Sequence, residues 1–313
     1  MGSLWVFILL WGIWLIIPVL VDGVEAGVRL AVIMWGRLND RNTRRLADDQ
    51  LPVVSVIVPA HNEEEVIDRC LNSLKLQDYP HDKMEIIVID DHSTDATADC
   101  VGNHVNGNSN GNGWCRYPDG TTGHAERTHL KLRGQPVRVG AFHGFIELVK
   151  NGQKGKAHAL NAGIERCRGD IIVNVDSDVV LAHDAVRNVA TAFHYDNGMG
   201  AATGNIEIDW DIIEERDADG HLMLDEEGHI RTHSLRPFER FLARAQFLEY
   251  LASFRLGRQA QGETNTIYTL AGAFSAFRRS AIESGCLYSN RTVSEDTDMT
   301  LNLHKGSIRV GFI

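Results

Sequence analysis

The sequence predicts an α/β fold with a mostly parallel sheet, and three observations support this class. Apolar runs without polar alternation, such as Val53–Val58, are typical of strands buried on both faces. A helical pattern with short connections separates the first two of these runs, as in a βαβ unit. Polar clusters follow the runs, and ligands of such sheets bind beyond the carboxyl ends of the strands.

The first predicted strand, Val53–Val58, leads into a segment that contains Ala60, Asn62 and Glu63. A helix is expected next, because apolar residues recur at helical spacing. These residues are Val66, Ile67, Cys70, Leu71 and Leu74. The segment 60–63 therefore follows a strand end at the edge of the sheet where ligands bind.

The second predicted strand, Glu85–Ile89, stops at Asp90-Asp91. Ser93 and Thr94 come directly afterwards, and both residue types cap helices well. A ligand site and a capped helix are compatible at this position, so the sequence leaves both open.

A third apolar run, Ile171–Val173, leads into Asp176 and Asp178. Residues two apart on an extended strand share one face, so these two carboxylates are expected to project together. A divalent cation that carries a diphosphate would satisfy them. A solvated surface loop is the simpler alternative for an isolated Asp-x-Asp pair.

Two segments interrupt the pattern, and one long helix follows them. Residues 101–134 are rich in Asn and Gly and are interpreted as a flexible surface insertion. Residues 214–233 carry two turn signals and predict a protruding hairpin. Arg236–Arg258 has a helical apolar stripe with an excess of arginine. It is expected either to pack on the sheet or to lie against anionic lipid or a partner's transmembrane segment.

Composition excludes some classes of function. The formal net charge is −11, which disfavours nucleic-acid binding by phosphate neutralisation. The five cysteines form no Cys-x-x-Cys pair and indicate a reducing compartment.

The N-terminus predicts a membrane anchor. Leu4–Val21 carries no charge and is just long enough to span a bilayer, while a cleaved signal peptide would want a basic start. Four arginines follow and place that side in the cytoplasm. They are Arg37, Arg41, Arg44 and Arg45. The expected organisation is a span with an interfacial segment (1–36), a linker (37–52) and a catalytic domain (53–313), in a bacterial plasma membrane.

Five motifs occur in an order that resembles a known family. They are VSVIVPAHNEE, IIVIDDHSTDAT, KGKAHALNAGIERCRGDIIVNVDSDV, TLAGAFSAFRRSAI and SEDTDMTL. Together they resemble inverting family 2 glycosyltransferases with the GT-A fold, and most of all the membrane-anchored group of polysaccharide synthases. The ending GAFSAFR is also similar to that of an exosortase-associated bacterial subgroup.

The resemblance implies a role for each matching residue. Asp296 would be the general base, and Asp178 would coordinate Mg²⁺ or Mn²⁺. The nucleotide sugar would contact Ala60, Asn62, Glu63, Asp91, Lys156 and Asp176. The acceptor side would be formed by Leu270, Ala271, Gly272, Ala273, Phe274 and Glu295.

The function that this resemblance implies is transfer of a sugar from a nucleotide sugar, with UDP as the expected nucleotide, to a hydroxyl acceptor in cell-surface polysaccharide synthesis. Expected partners are the donor, a glycan or lipid-linked acceptor, membrane lipid and a membrane subunit, but no nucleic acid. The chain stops at Ile313, before the QxxRW motif of the polysaccharide synthases. A nucleotide-sugar-binding subunit that needs a partner, or its own C-terminal continuation, for turnover is therefore the alternative.

Overall fold

A mixed seven-stranded sheet organises the part of the chain that the computed structural model describes. The described residues are 17, 20–36, 45–105, 114–116, 122–124, 130–132, 135–137, 144–206, 213–214, 232–233, 236–292 and 294–313. The strands of the large sheet are β1 (Val54–Ala60), β2 (Met84–Asp90), β7 (Phe145–Lys150), β8 (Ile171–Val175), β9 (Met199–Thr203), β12 (Phe274–Arg278) and β13 (Arg309–Phe312). Three short antiparallel pairs lie outside it: β3 (Trp114–Arg116) with β4 (Thr122–His124), β5 (Leu130–Leu132) with β6 (Gln135–Val137), and β10 (Ile213–Glu214) with β11 (Thr232–His233).

The strand order in the large sheet is β13-β9-β12-β8-β1-β2-β7. Strand β12 runs antiparallel to both of its neighbours, while every other neighbouring pair is parallel. The predicted mostly parallel sheet is therefore confirmed. The carboxyl ends of β1, β2 and β8 meet at one edge, and β12 begins at that same edge.

Helices cover both faces of the sheet. They are α1 (residues 20–36), α2 (Ile67–Lys75), α3 (Thr97–Val105), α4 (Lys156–Arg166), α5 (Ala185–Tyr195), α6 (Pro237–Tyr250), α7 (Arg258–Glu263), α8 (Arg279–Glu283) and α9 (Glu295–Lys305). A π-helical turn, Leu251–Gly257, joins α6 to α7, and short 3₁₀ turns lie at Asp48–Gln50 and His81–Lys83.

Alternating residues of the central strands form two separate cores. On β1, Val56 and Val58 face the core that also contains residues of α2, α3 and α5. Ile57 faces the other core, with residues of α4, α8 and α9. Both faces of the sheet are thus buried, which explains why the strands are continuous apolar runs in the sequence.

Two predicted boundaries are wrong. Helix α3 begins at Thr97, where Asp95 Oδ1 accepts hydrogen bonds from the Thr97 N–H (3.0 Å) and hydroxyl (2.6 Å). Asp95, rather than Ser93 or Thr94, therefore holds the start of this helix. The same helix continues to Val105, so residues 101–105 are not part of a flexible insertion.

The helix expected over Arg236–Arg258 is present as α6, the π-helical turn and α7. The interpretation that its apolar stripe packs on the sheet is wrong, because α6 contains no buried residue. Instead Phe238, Phe241 and Leu248 of that stripe are exposed.

Within the described ranges, no helix has both the length and the apolar character needed to cross a membrane. Of the predicted span Leu4–Val21, only Ile17, Leu20 and Val21 are described. The rest lies outside the described residues, and the span stays a prediction.

Candidate active site

The three polar clusters predicted at strand ends come together at one edge of the sheet. Ala60 and Asp90 are paired at the ends of β1 and β2, and the Asp91 N–H donates to the Ala60 carbonyl at 2.8 Å. Directly after β8, the Asp176 N–H donates to the carbonyl of Ala273 at 3.3 Å. The edge therefore joins residues from the β1, β2 and β8 ends to the segment that precedes β12.

Asn62 holds the loops after β1 and β2 against each other. Its backbone is left-handed (φ 57°), and its Oδ1 accepts a hydrogen bond from the Thr94 N–H at 2.8 Å. Its own N–H donates to the Ser93 hydroxyl at 3.1 Å. Next to it, the Glu63 N–H donates to the Thr97 hydroxyl at 2.7 Å. These contacts fix the two residues for which the sequence predicts nucleotide binding.

Asp91 anchors the start of α4. The residue is only 6% exposed, and its carboxylate accepts hydrogen bonds from Asn151 Nδ2 (2.8 Å) and from the Gly155 N–H (2.8 Å to Oδ2). Gly155 has φ 127°, which side chains rarely tolerate, so glycine is needed for this turn. The arrangement presents Lys156 at the first position of α4. The expected contact of Asp91 with the nucleotide sugar stays a prediction.

Lys156 lies among three carboxylates from distant parts of the chain. Its Nζ is 2.7 Å from Asp176 Oδ1 and 3.8 Å from Glu295 Oε1. Burial alone would lower the pKa of Lys156, but Asp176, Asp296 and Glu295 together raise that pKa above its ordinary value. The ammonium is therefore charged at neutral pH, and it is outnumbered by the carboxylates around it.

The pKa of Asp296 is set by burial and by the charges around it. Burial raises its pKa from 3.8 to about 6, with additional contributions from the Glu295 and Asp176 carboxylates, while Lys156 and Arg258 pull in the opposite direction. The carboxylate is thus ionised at neutral pH and yet is a much better proton acceptor than an ordinary aspartate. Glu295 and Asp296 are the first two residues of α9, which buries Met299 and Leu303.

Gly272 allows the acceptor-side segment to pass close to Asp296. A Cβ at this position would lie 2.6 Å from Asp296 Oδ2 and 3.4 Å from Lys156 Nζ, so any side chain here would collide with the carboxylate. Thr300 links this segment to α9 through two hydrogen bonds. Its Oγ1 donates to the Asp296 carbonyl (2.6 Å) and accepts from the Leu270 N–H (2.9 Å). The structure therefore brings 270–272, Lys156 and Asp296 together.

A buried polar network connects the end of β8, just before Asp176, to helix α4. Asn174, two residues earlier on β8, donates from Nδ2 to the Tyr288 hydroxyl at 2.7 Å. The backbone of Tyr288 exchanges two hydrogen bonds with the Asn161 side chain of α4, at 2.8 and 3.0 Å. This network ties the strand that carries Asp176 to the helix that carries Lys156.

The carboxylates around Asp178 are suited to a hard divalent cation. Asp178 is exposed, and it acts together with burial to raise the pKa of Glu63. Among the described side chains, no group of three or more His, Cys, Asp or Glu residues could hold a metal ion by itself. Mg²⁺ in nucleotide sites is commonly held by only one or two carboxylates, with phosphate oxygens and water completing the shell. Asp178 and its acidic neighbours fit that arrangement.

Comparison with known proteins settles the family. The model for "Glycosyl transferase family 2" matches residues 55–116 and 137–285, which is more than half of the chain. The chain belongs to glycosyl transferase family 2. The predicted glycosyltransferase is thus confirmed at the level of the family.

Curated relatives agree with this assignment. The chain is 25% identical over 267 residues to "Probable glycosyltransferase YdaM" of Bacillus subtilis (strain 168), covering 84% of this chain and 49% of that protein. It is 23% identical over 264 residues to a poly-beta-1,6-N-acetyl-D-glucosamine synthase of Staphylococcus aureus (strain COL), covering 84% and 48%. The family 2 chain therefore spans about half the length of these relatives.

Solved structures share the fold. The mannosyltransferase PcManGT from Pyrobaculum calidifontis, in complex with GDP-Man and Mn²⁺, superposes with a TM-score of 0.55 at 20% identity, over 94% of this chain and 65% of that one. S. aureus TarS 1-349 in complex with UDP-GlcNAc superposes with a TM-score of 0.50 at 16% identity, over 83% and 56%.

Sequence reasoning missed two residues of this glycosyltransferase site, Arg258 and Thr203. In the sequence Arg258 is only the last arginine of the helix predicted over 236–258, but its Nη1 donates to the Thr269 carbonyl (2.9 Å) and to the Thr203 hydroxyl (3.3 Å). Thr203 is fully buried at the end of β9 and also accepts the Ala271 N–H at 3.0 Å. The pair therefore holds the acceptor-side segment 269–271 in place. The only signal in the sequence was a threonine at a strand end.

Replacing Arg258 by glutamine should shift the pH dependence of transfer. The guanidinium lowers the pKa of Asp296, so its loss should raise that pKa and move the acid limb of the kcat/KM profile to higher pH. The measurement is kcat/KM against pH for Arg258→Gln and for the control Arg255→Gln, whose arginine is exposed one turn earlier. An acid limb that moves equally in both variants, or in neither, would contradict this role.

Proposed function

We propose that this family 2 enzyme transfers a sugar from a nucleotide-sugar donor to a hydroxyl acceptor with inversion at the anomeric carbon. One observation carries the proposal: Lys156, Asp176, Glu295 and Asp296 converge beside the glycine-opened segment 270–272. Lys156, a cation for the leaving diphosphate, therefore lies next to Asp296, a base for the acceptor hydroxyl.

The chain's own residues account for the transfer as follows. The Asp296 carboxylate accepts the proton of the acceptor hydroxyl while that oxygen attacks the anomeric carbon of the donor. The bond from this carbon to the diphosphate oxygen breaks, and its electron pair leaves with the nucleoside diphosphate. Lys156 lies where it can stabilise the growing negative charge. Since attack occurs opposite the leaving group, an α-linked donor gives a β-linked product.

The acidity of the site supports a requirement for Mg²⁺ or Mn²⁺. A diphosphate that enters beside Asp176, Asp178 and Glu63 meets repulsion that one lysine does not offset. A divalent cation held by Asp178, with Asp176 close by, would neutralise charge on the departing diphosphate. The solved structure of PcManGT contains Mn²⁺, which supports this assignment.

UDP is the nucleotide we propose, with polysaccharide synthesis at the membrane as the setting. The TarS structure contains UDP-GlcNAc and the S. aureus relative is a polysaccharide synthase, and both support this choice. The run Leu4–Val21 and the arginines that follow it support a membrane anchor with the catalytic domain in the cytoplasm. GAFSAFR supports the exosortase-associated subgroup. A glycan or lipid-linked acceptor, and a membrane subunit, belong to the same proposal.

Release of nucleoside diphosphate from a panel of nucleotide sugars tests the function and predicts a pH profile. With Mn²⁺ present, kcat/KM should fall about tenfold per pH unit below about pH 6, as Asp296 becomes protonated. Above that pH it should level off, because the base is then ionised.

The panel should be run on this chain and on a C-terminally extended one, since the chain spans half the length of its relatives. Donor binding by thermal shift without turnover in either chain would favour the nucleotide-sugar-binding subunit. No response to any nucleotide sugar would refute both interpretations.

A further inference from the structure

Helix α6 turns its more apolar face away from the protein. The residues that face inward are half-buried and follow each other at helical spacing: Glu239, Ala243, Phe247 and Tyr250. The residues of the opposite face are exposed: Phe238, Phe241, Leu242, Ala245 and Leu248. Phe238, Phe241 and Leu248 are 70%, 66% and 61% exposed. A helix that only covers a core would bury its apolar face and expose its polar face.

Helix α1 packs against the π-helical turn that follows α6, and it carries further exposed apolar residues. Its Arg29, Val32, Ile33 and Gly36 face inward, and Arg29 and Ile33 line a groove with Ala252 and Leu256 of the π-helical turn. Large apolar residues face outward along the whole helix. They are Leu20, Val21, Val24, Val28, Leu30, Met34 and Trp35. We call the exposed apolar residues of both helices the α1–α6 surface.

Arginines border the α6 part of this surface. At 3.6 residues per turn, Arg240 and Arg244 lie along one edge of the face formed by Phe241 and Leu248. Arg236 precedes the helix, and all three residues are exposed. These three arginines outnumber the two acidic residues of the same stretch, Glu239 and Glu249, whereas the chain as a whole has a net charge of −11.

Charge distinguishes between the candidate occupants. A second copy of this chain would bring the same arginines face to face, and like charges across an interface are unfavourable. An anionic bilayer offers acyl chains to the aromatic and aliphatic side chains, and phosphates to the arginines at their edge. The uncharged run Leu4–Val21 also overlaps the start of α1 at Leu20 and Val21, so the α1 part of this surface continues an apolar segment.

We propose that the α1–α6 surface lies in the headgroup region of an anionic lipid bilayer, with Phe238, Phe241 and Leu248 inserted between acyl chains and the bordering arginines on lipid phosphates. The α6 part of this contact is separate from any transmembrane anchor, because residues 236–250 belong to the catalytic domain. It also goes beyond the proposed function, which would hold for an enzyme whose domain never touched lipid.

Site-specific photocrosslinking distinguishes lipid from other occupants. The full chain, with p-benzoylphenylalanine in place of Phe241, is reconstituted in nanodiscs of phosphatidylcholine with and without phosphatidylglycerol. The matched control carries the same probe in place of Tyr195, an exposed aromatic residue at the end of α5. Intact-mass analysis then separates a lipid adduct from a crosslinked dimer.

We expect a lipid adduct at position 241, several-fold more abundant than at position 195 and increased by phosphatidylglycerol. A dimer, no adduct, or equal adducts at both positions would overturn the proposal. Arg240→Gln and Arg244→Gln provide a second measurement that leaves the apolar face intact. Each should reduce the preference for phosphatidylglycerol roughly fivefold, from the usual attraction of an arginine to an anionic surface. An unchanged lipid preference in both variants would also count against it.

Discussion

Replacing Asp296 by asparagine should separate donor binding from transfer. The amide keeps the shape of the side chain but does not accept a proton, so transfer should fall by roughly 10²–10⁴-fold. Donor affinity should change much less, since this carboxylate faces the acceptor-side segment through Gly272. Rates of transfer and donor dissociation constants measured on the same preparation check both expectations.

Asp298→Asn is the matched control for this experiment, because Asp298 lies on the same helical turn. The Asp298 carboxylate is buried and bonded to the Arg291 guanidinium, so its replacement should lower thermal stability rather than the rate per folded molecule. If Asp296→Asn keeps more than about a tenth of the wild-type rate, the base lies elsewhere and Glu295 is the next residue to test.

Stability provides an independent readout of the same side chain. The raised pKa of Asp296 means that the folded protein binds this proton more tightly than the unfolded chain does. The stabilisation that accompanies protonation is complete below about pH 4 and is lost as the pH rises through about 6. Asp296→Asn should therefore be more stable than wild type at pH 7.5, by at most about 3 kcal/mol, with little difference at pH 4.

Replacing Asp178 by alanine should remove the dependence of nucleotide binding on metal. If this carboxylate coordinates the cation, UDP should bind at least roughly 10–100-fold more weakly in Mn²⁺, and about equally with and without Mn²⁺. Isothermal titration of UDP with and without Mn²⁺ measures this. Binding in the absence of metal should be unaffected or slightly tighter, because a negative charge has been removed.

Asp82→Ala is the control for general loss of charge, because Asp82 is exposed in the 3₁₀ turn before β2. It should keep the full metal dependence. An Asp178→Ala protein whose affinity in Mn²⁺ equals that of wild type would show that the metal, if one is bound, is held by other residues.

The strand ends were predictable from the sequence because their signal is local. Each apolar run is buried on both faces, and the polar residues that follow it can lie only at the sheet edge. Asp176 followed from this reasoning, whereas Lys156 was assigned from the family resemblance; the structure places Lys156 Nζ 2.7 Å from Asp176 Oδ1.

The remaining site residues depend on contacts between distant segments. The position of Arg258 in an arginine-rich helix gives no sign that it is bonded to Thr203 and Thr269, because the rotation of a helix about its axis follows from its tertiary contacts. For the same reason the sequence left open whether the apolar stripe of α6 packs on the sheet or lies against lipid or a partner, and the structure shows that it faces outward. Periodicity shows that a helix has two unlike faces but not which of them is covered.

The π-helical turn Leu251–Gly257 determines how the outer face of α6 is rotated about the helix axis relative to the inner face of α7. On one side of it, α6 presents Phe241 and Leu248 outward; on the other, α7 directs Arg258 toward Thr203 and Thr269. One helical residue corresponds to about 100° of rotation about the axis. Deleting a single residue from the turn would therefore rotate the apolar face of α6 relative to Arg258 by about that angle, while both helices stay intact. The length of this turn, more than its composition, is therefore the quantity that relatives with the same two contacts would need to share.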